Sequence, residues 1–307
     1  MISGAKTGTR IAAVILIIVA VCAVWGVCYK LKIPRMMFEP VFYNDIQKMK
    51  LVSEMQVNVN ASVEAEKSAV LADTDAASRT FAAQAKKASD TVEADRQKLG
   101  TLIEAEKTGP EMDLFRQFSV CWEKFQQVDK ELLPLSEQNT NIKAYDLSHG
   151  AGDAALDHLD VALKKITAPP GASGNNVCDI QGTAYRIMIA ALRIQVLQSP
   201  HIAESSNARM DEIEAKIRTC DQQIRDDLKK LSDMTGASGT ASMKSVEDAY
   251  THFWQINTEI LKLSRQNSNI RSMTLSLGQK RKVTAECQDV LSALGELLQN
   301  RSFKATR

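Results

Sequence analysis

Two asparagines stand where an apolar helical stripe otherwise carries leucine or isoleucine. Asn139 follows Phe115, Phe118, Trp122, Phe125, Val128, Leu132 and Leu135 at spacings of three or four and precedes Ile142; Asn267 holds the same place between Leu263 and Ile270. An amide in such a seam must find a hydrogen-bond partner or cost stability. It therefore meets a polar ligand, sets helix register, or lies at a helix end close to the turns expected at Gly150 and Gly278. Their neighbours Asn141 and Asn269 are expected off the seam. Arg186 and Arg193, two turns apart on one predicted helix, could meet a carboxylate ligand inside a bundle, although solvated surface positions are the plainer reading. Asn139, Asn267, Arg186 and Arg193 are thus the candidate ligand-binding residues.

The other chemistry-bearing side chains form no constellation. His149, His158, His201 and His252 fit no H-E-x-x-H, E-x-x-H or C-x-x-C-H spacing and are expected at the surface or at helix ends. There is no G-x-S-x-G, P-loop or dinucleotide-binding glycine pattern, so no catalytic, cofactor or metal residue is expected. Charged runs such as Asp226, Asp227, Lys229 and Lys230 read as solvated helix faces. With 38 basic against 37 acidic side chains, bulk charge gives no reason to expect a nucleic-acid partner.

The elements that must position these residues are helices. Aromatic residues make up 5% of the chain, and 14 glycines and 7 prolines in 307 residues are little punctuation for a fold of many strands and turns. Residues 11–29, IAAVILIIVAVCAVWGVCY, carry no charge, and at about 20 apolar residues per crossing they read as an uncleaved transmembrane helix. Lys6 and Arg10 precede it, and Lys30, Lys32 and Arg35 follow, so the positive-inside rule gives no clear vote. The orientation adopted places the short tail 1–10 inside and the body outside the cytoplasmic membrane. Of the cysteines beyond the span, Cys121, Cys178, Cys220 and Cys287 are expected as small buried residues. An exported domain is also compatible with a disulfide such as Cys220 with Cys287.

The body contains a duplication. Residues 125–150 align without gaps on 253–278 with 13 of 26 positions identical, around the shared core LSEQNTNI at 135–142 and LSRQNSNI at 263–270. Preceding apolar positions also correspond: Phe81, Ala85, Ala88, Val92, Leu99 and Leu102 match Ile213, Ile217, Cys220, Ile224, Leu231 and Met234. Helical spacing predicts four helices per copy, at 42–71, 74–107, 111–147 and 150–167, then 176–198, 203–234, 243–274 and 278–299. Pro134 is expected to kink or break the third. The expected fold is all-α, with two tandem up-down four-helix bundles at 40–168 and 176–300, joined by the Pro/Gly-rich linker 169–175 and followed by the tail 301–307.

A membrane anchor followed by Trp122, Phe125 and LLPLSEQNTNIKAYDLSHG resembles the four-helix-bundle sensory module of methyl-accepting chemotaxis receptors, of the HlyB-like type. The second copy, FWQINTEILKLSRQNSNIRSMTLSLG, resembles it at least as well. The helical bimodular sensor is similar in carrying two bundles, although its halves are interleaved whereas this repeat reads as sequential. The resemblance implies an extracytoplasmic sensory role, usually as a dimer, with a small molecule or a binding protein as input. The sequence ends at Arg307 without a second span, HAMP segment or signalling hairpin, so output is expected to pass through a partner. The alternative is an envelope scaffold built from helical bundles.

Overall fold

A computed structural model describes residues 35–106, 109–167, 175–236 and 239–305, and these are helical throughout apart from short connections. In chain order they are α1 (Arg35–Leu71), α2 (Asp75–Glu106), α3 (Gly109–Ser136), α4 (Thr140–Leu147), α5 (Asp153–Thr167), α6 (Asn175–Ala203), α7 (Asn207–Thr235), α8 (Thr240–Gln266), α9 (Ser268–Leu275) and α10 (Arg281–Ala305). The π-helical turns Ser148–Gly152 and Ser276–Lys280 join α4 to α5 and α9 to α10. Local chemistry sets several ends. The Thr74 hydroxyl accepts from Ala77 N–H at 3.3 Å before α2, and Ser206 caps α7 by accepting from Arg209 N–H. Gly236 closes α7 at φ 56°, where a side chain would be strained.

Chain contacts define two compact units. In one, Val59–Asp90 and Cys121–Glu286 come together; the other comprises Thr91–Val120 with described residues up to Asn58 and from Cys287 onward. In the first of these, α5, α6, α7 and α8 pack against one another as a four-helix bundle. Its core is one apolar cluster that includes Leu159, Leu163, Ile187, Ile194, Ile217, Ile224, Leu231, Val246, Phe253 and Ile260. The heptad-like spacing of these residues is what brings one stripe of each helix inward. In the other unit Val52, Met55, Leu99, Ile103, Phe115, Phe118, Leu291, Leu294 and Leu298 are buried. There α1, α2, α3 and α10 meet: Gln56 donates to Ser292, Arg301 pairs with Asp45, Glu106 and Glu111, and Gly100 lies under the Phe115 ring.

The fold class is all-α and bundled, but the sequential division at 169–175 is not where the contacts fall. The fourth helix of each predicted copy has changed places. Residues 153–167 pack with α6–α8, and residues 281–305 pack with α1–α3. The physical cause is the chain path at Gly150 and Gly278. Expected turns there would fold the last helix back on its own copy, yet the residues flanking both segments keep right-handed helical angles and the chain runs straight through one π turn.

Pro134 does not break its helix where it stands, since α3 continues to Ser136. The break comes at Asn139, and the second copy, with Lys262 in the proline's place, breaks equally at Asn267. Proline is therefore not the cause. Cys121 and Cys287 are disulfide-bonded, while Cys220 is free and Cys178 is free and exposed, so a Cys220–Cys287 pairing is not made. Among the described residues no helix is long and apolar enough to cross a membrane. The apolar run 11–29 lies outside the described residues.

Candidate functional site

Asn139 and Asn267 both adopt left-handed backbone angles, at φ 50° and 55°, and both are buried. Asparagine tolerates this region better than most residues. Each ends one helix and opens the next, and the two restarts meet. Thr140 N–H donates to Ser268 Oγ at 3.1 Å, and Ser268 N–H returns to Thr140 Oγ1 at 3.0 Å. Asn141 N–H donates to Asn269 Oδ1 at 3.1 Å, and Asn269 N–H to Asn141 Oδ1 at 3.2 Å. The amides close the ring: Asn141 Nδ2 donates to Asn267 Oδ1 at 2.9 Å and Asn269 Nδ2 to Asn139 Oδ1 at 3.0 Å. The first N–H groups of a helix have no partner within it. Here each copy of the repeat supplies the caps of the other, in an approximately two-fold joint.

This joint consumes the predicted ligand contacts. Asn139 Nδ2 also donates to Asp75 and Ser78, and Asn267 Nδ2 to the Glu204 carbonyl. Arg186 pairs with the buried Asp227, Nε to Oδ2 at 3.2 Å, and Arg193 is exposed two turns along α6. Neither arginine converges on the asparagines. The contributions of Asn141 and Asn269 were missed because a seam of period 3.6 places them off the apolar stripe; their identity in both copies was the signal.

A groove of about 590 Å³ lies between α2 and α3. Ala82 and Ala83 leave room opposite Leu133 and Pro134, and the mouth carries Arg79, Lys86 and Lys130 with Asp90 and Glu137. Ser89 and Asp129 line it and are buried. Behind Asp129, Lys280 Nζ lies 2.5 Å from Oδ1 and over the Phe125 ring, 2.9 Å from its centroid. Burial pushes the Lys280 ammonium down to about 8, against the pull of Asp129 and Glu66. Burial likewise raises the Asp129 and Glu66 carboxyls above the ordinary carboxylate range, with Lys280 opposing both shifts. Beside Glu66 stand the Ser276 hydroxyl and the Lys280 ammonium, both of which favour its charged form. Three ionisable groups thus share one buried site in which extra charge is costly.

In the other unit Asp45, Glu106 and Glu111 have the spacing of a cation site, and its centre is taken by Lys48 Nζ at 3.0, 2.8 and 2.9 Å. Burial opposes the charge on Lys48, but the three carboxylates hold its ammonium above the usual lysine range. Burial also pushes Glu111 up, and Lys48 with Arg301 outweighs it and holds the carboxyl low.

His201 lies at a helix end, in the last turn of α6, and there it is fully buried. Its Nδ1 meets Ser264 Oγ at 2.8 Å and its Nε2 meets Glu214 Oε1 at 3.1 Å, the order of a nucleophile–base–acid triad. The Ser264 side chain is equally buried, and its hydroxyl donates to the His201 carbonyl at 2.9 Å. A substrate carbonyl has no approach to it. Arg265 holds Glu214 below the ordinary carboxylate range despite burial, and burial lowers the imidazole pKa.

The described residues thus offer helical bundles, a groove between two helices and a polar joint between the two copies of the repeat. The chain matches the four helix bundle sensory module for signal transduction over residues 4–168 and belongs to that family. The matched span includes α5, which packs with α6–α8 beyond it. No curated protein and no solved structure matches the chain.

Proposed function

We propose that the chain is a membrane-anchored, extracytoplasmic sensory module that takes a small organic anion in the groove between α2 and α3 and passes its occupancy to a partner protein. The carrying observation is the groove itself. Arg79, Lys86 and Lys130, interleaved with Asp90 and Glu137, border the apolar surface of Ala82, Ala83, Leu133 and Pro134, and the three cations suit a carboxylate joined to a compact hydrocarbon. The buried Asp129 gives the signal a route: it lines the groove and pairs with Lys280 at the end of a π turn, so a ligand that disturbs Asp129 also bears on α10. Residues 11–29 supply the anchor in this reading. Family membership supports the sensory role, and the uncharged run 11–29 supports the anchor.

Ligand binding to the folded state stabilises it by about 2.7 kcal/mol at a hundredfold excess over Kd. The full chain in detergent, screened by thermal shift against dicarboxylates, amino acids and aromatic acids, should give a hit that Lys86→Ala and Lys130→Ala each weaken. A screen without any shift, together with recovery of a stoichiometric envelope complex, favours the scaffold reading.

A further inference from the structure

Six polar side chains, all buried, run inward from the groove across α1, α2, α3 and the second π turn. Ser89 and Asp129 line the groove. Ser89 Oγ lies 2.9 Å from Ser62 Oγ, either of which could donate, and the Ser89 hydroxyl also favours the charged form of Asp129. Ser62 stands one turn before Glu66 on the same buried face of α1. Glu66 in turn is flanked by Ser276 and Lys280. A hydroxyl can accept one hydrogen bond while donating another, so the series is a polar path from the groove wall to Glu66.

The charges along this path do not balance. Two carboxylates, Glu66 and Asp129, share one ammonium, and that ammonium is committed: Lys280 Nζ lies 2.5 Å from Asp129 Oδ1 and rests over the Phe125 ring. With all three groups ionised the site would hold one uncompensated negative charge out of solvent, a costly arrangement that a single proton removes. Asp129 keeps both Lys280 and Ser89. Around Glu66, burial first and the Asp129 charge after it oppose ionisation, and they outweigh the pulls of Ser276, Lys280 and Lys67. The proton therefore belongs on Glu66. On the groove side, α2 and α3 present Arg79, Lys86 and Lys130 against Asp90 and Glu137, so the charge that reaches Asp129 changes with what the groove holds.

We infer that Glu66 is a proton-binding site joined to the groove through Ser62, Ser89 and Asp129, so that negative charge in the groove and a proton on Glu66 favour each other. The link to a ligand rests on the anion reading of the groove; the proton site does not. Because such coupling is reciprocal, an anion in the groove binds more tightly as pH falls through the range in which Glu66 takes up its proton, and its arrival draws up to one proton from solvent. Infrared difference spectra of the full chain in detergent, taken across a pH series, should show a protonated carboxyl at about pH 6, where an ordinary glutamate is ionised. Glu66→Gln should remove that band without lowering the thermal midpoint at the same pH, since the amide copies the neutral acid. Asp129→Asn should move the loss of the band to lower pH, because Lys280 is then left to Glu66 alone. Ala83, exposed on the groove wall, lets the groove's charge be varied with no ligand present. Ala83→Glu should raise the pH at which the band is lost by about half a unit or more, and Ala83→Lys should lower it. A band absent at about pH 6, a band that survives Glu66→Gln, or a loss unmoved by Asp129→Asn or by both Ala83 variants overturns the inference. If the Ala83 variants move the band while no acid in the thermal-shift screen binds, the proton site stands and the ligand reading of the groove fails.

Discussion

Substituting Asn267 by glycine and by alanine separates the two things that residue does. Its side chain makes two hydrogen bonds in the joint, donating to the Glu204 carbonyl at 3.0 Å and accepting from Asn141 Nδ2 at 2.9 Å. At about 1 kcal/mol net per bond in a buried setting, either substitution loses about 2 kcal/mol. Its backbone sits at φ 55°, ψ 34°, a region that costs a residue with a Cβ about 1–2 kcal/mol and glycine almost nothing. Glycine offsets part of that gain through the greater freedom of its unfolded chain, by about 0.5–1 kcal/mol. Alanine keeps the Cβ and so only loses the bonds: Asn267→Ala should therefore destabilise by about 2 kcal/mol and Asn267→Gly by about 1. Equilibrium urea unfolding, followed by circular dichroism, measures both. If the alanine variant is no less stable than the glycine variant, the left-handed backbone does not set the break. A loss below about 0.5 kcal/mol in both would remove the joint's energetic role altogether. Asn139, at φ 50° in the sister position, should repeat the ordering.

Lys280→Met leaves Asp129 buried and unpaired and should cost about 3–5 kcal/mol, whereas Lys280→Met with Asp129→Asn should recover most of it in the same urea assay. Acid should weaken the fold through His201, which faces Glu214 and Ser264, with Arg265 and Asp211 beyond. Its folded pKa lies below 6.5, so its contribution is complete above pH 6.5 and is lost as pH falls through the lower folded value. His201→Asn should flatten the thermal midpoint over that window; an unchanged slope would assign it elsewhere. Gly100 has no room for a side chain, because a Cβ there would stand 2.8 Å from the Phe115 ring. Gly100→Leu should cost about 1–3 kcal/mol by overpacking, visible as a lower urea midpoint.

The helices were legible because their apolar positions recur every three or four residues, and the repeat because 125–150 and 253–278 agree residue by residue. What the pattern hid was chain direction at the glycines. A glycine between two amphipathic stretches looks the same whether the chain turns or inserts one extra residue into a continuing helix, and Gly150 and Gly278 do the second. The helix exchange followed from that single ambiguity. At the joint, periodicity correctly marked Asn139 and Asn267 as seam residues, but a left-handed angle has no spacing signature. The lysines at the two buried clusters were illegible for another reason: Lys48 and Lys280 pair with carboxylates 58 and 151 residues away, and such partners appear only after folding.

Reciprocal capping also changes what the duplication means for later mutation. When the copies first arose, either could have drifted alone. Once Thr140 and Ser268 cap each other's helices, and Asn141 and Asn269 do the same, a change in one copy is felt as a fault in the other. A substitution at any of these four positions removes a cap from the other copy's helix, and deletion of either half would strip the survivor of its caps. Two interchangeable copies have become one indivisible hereditary unit.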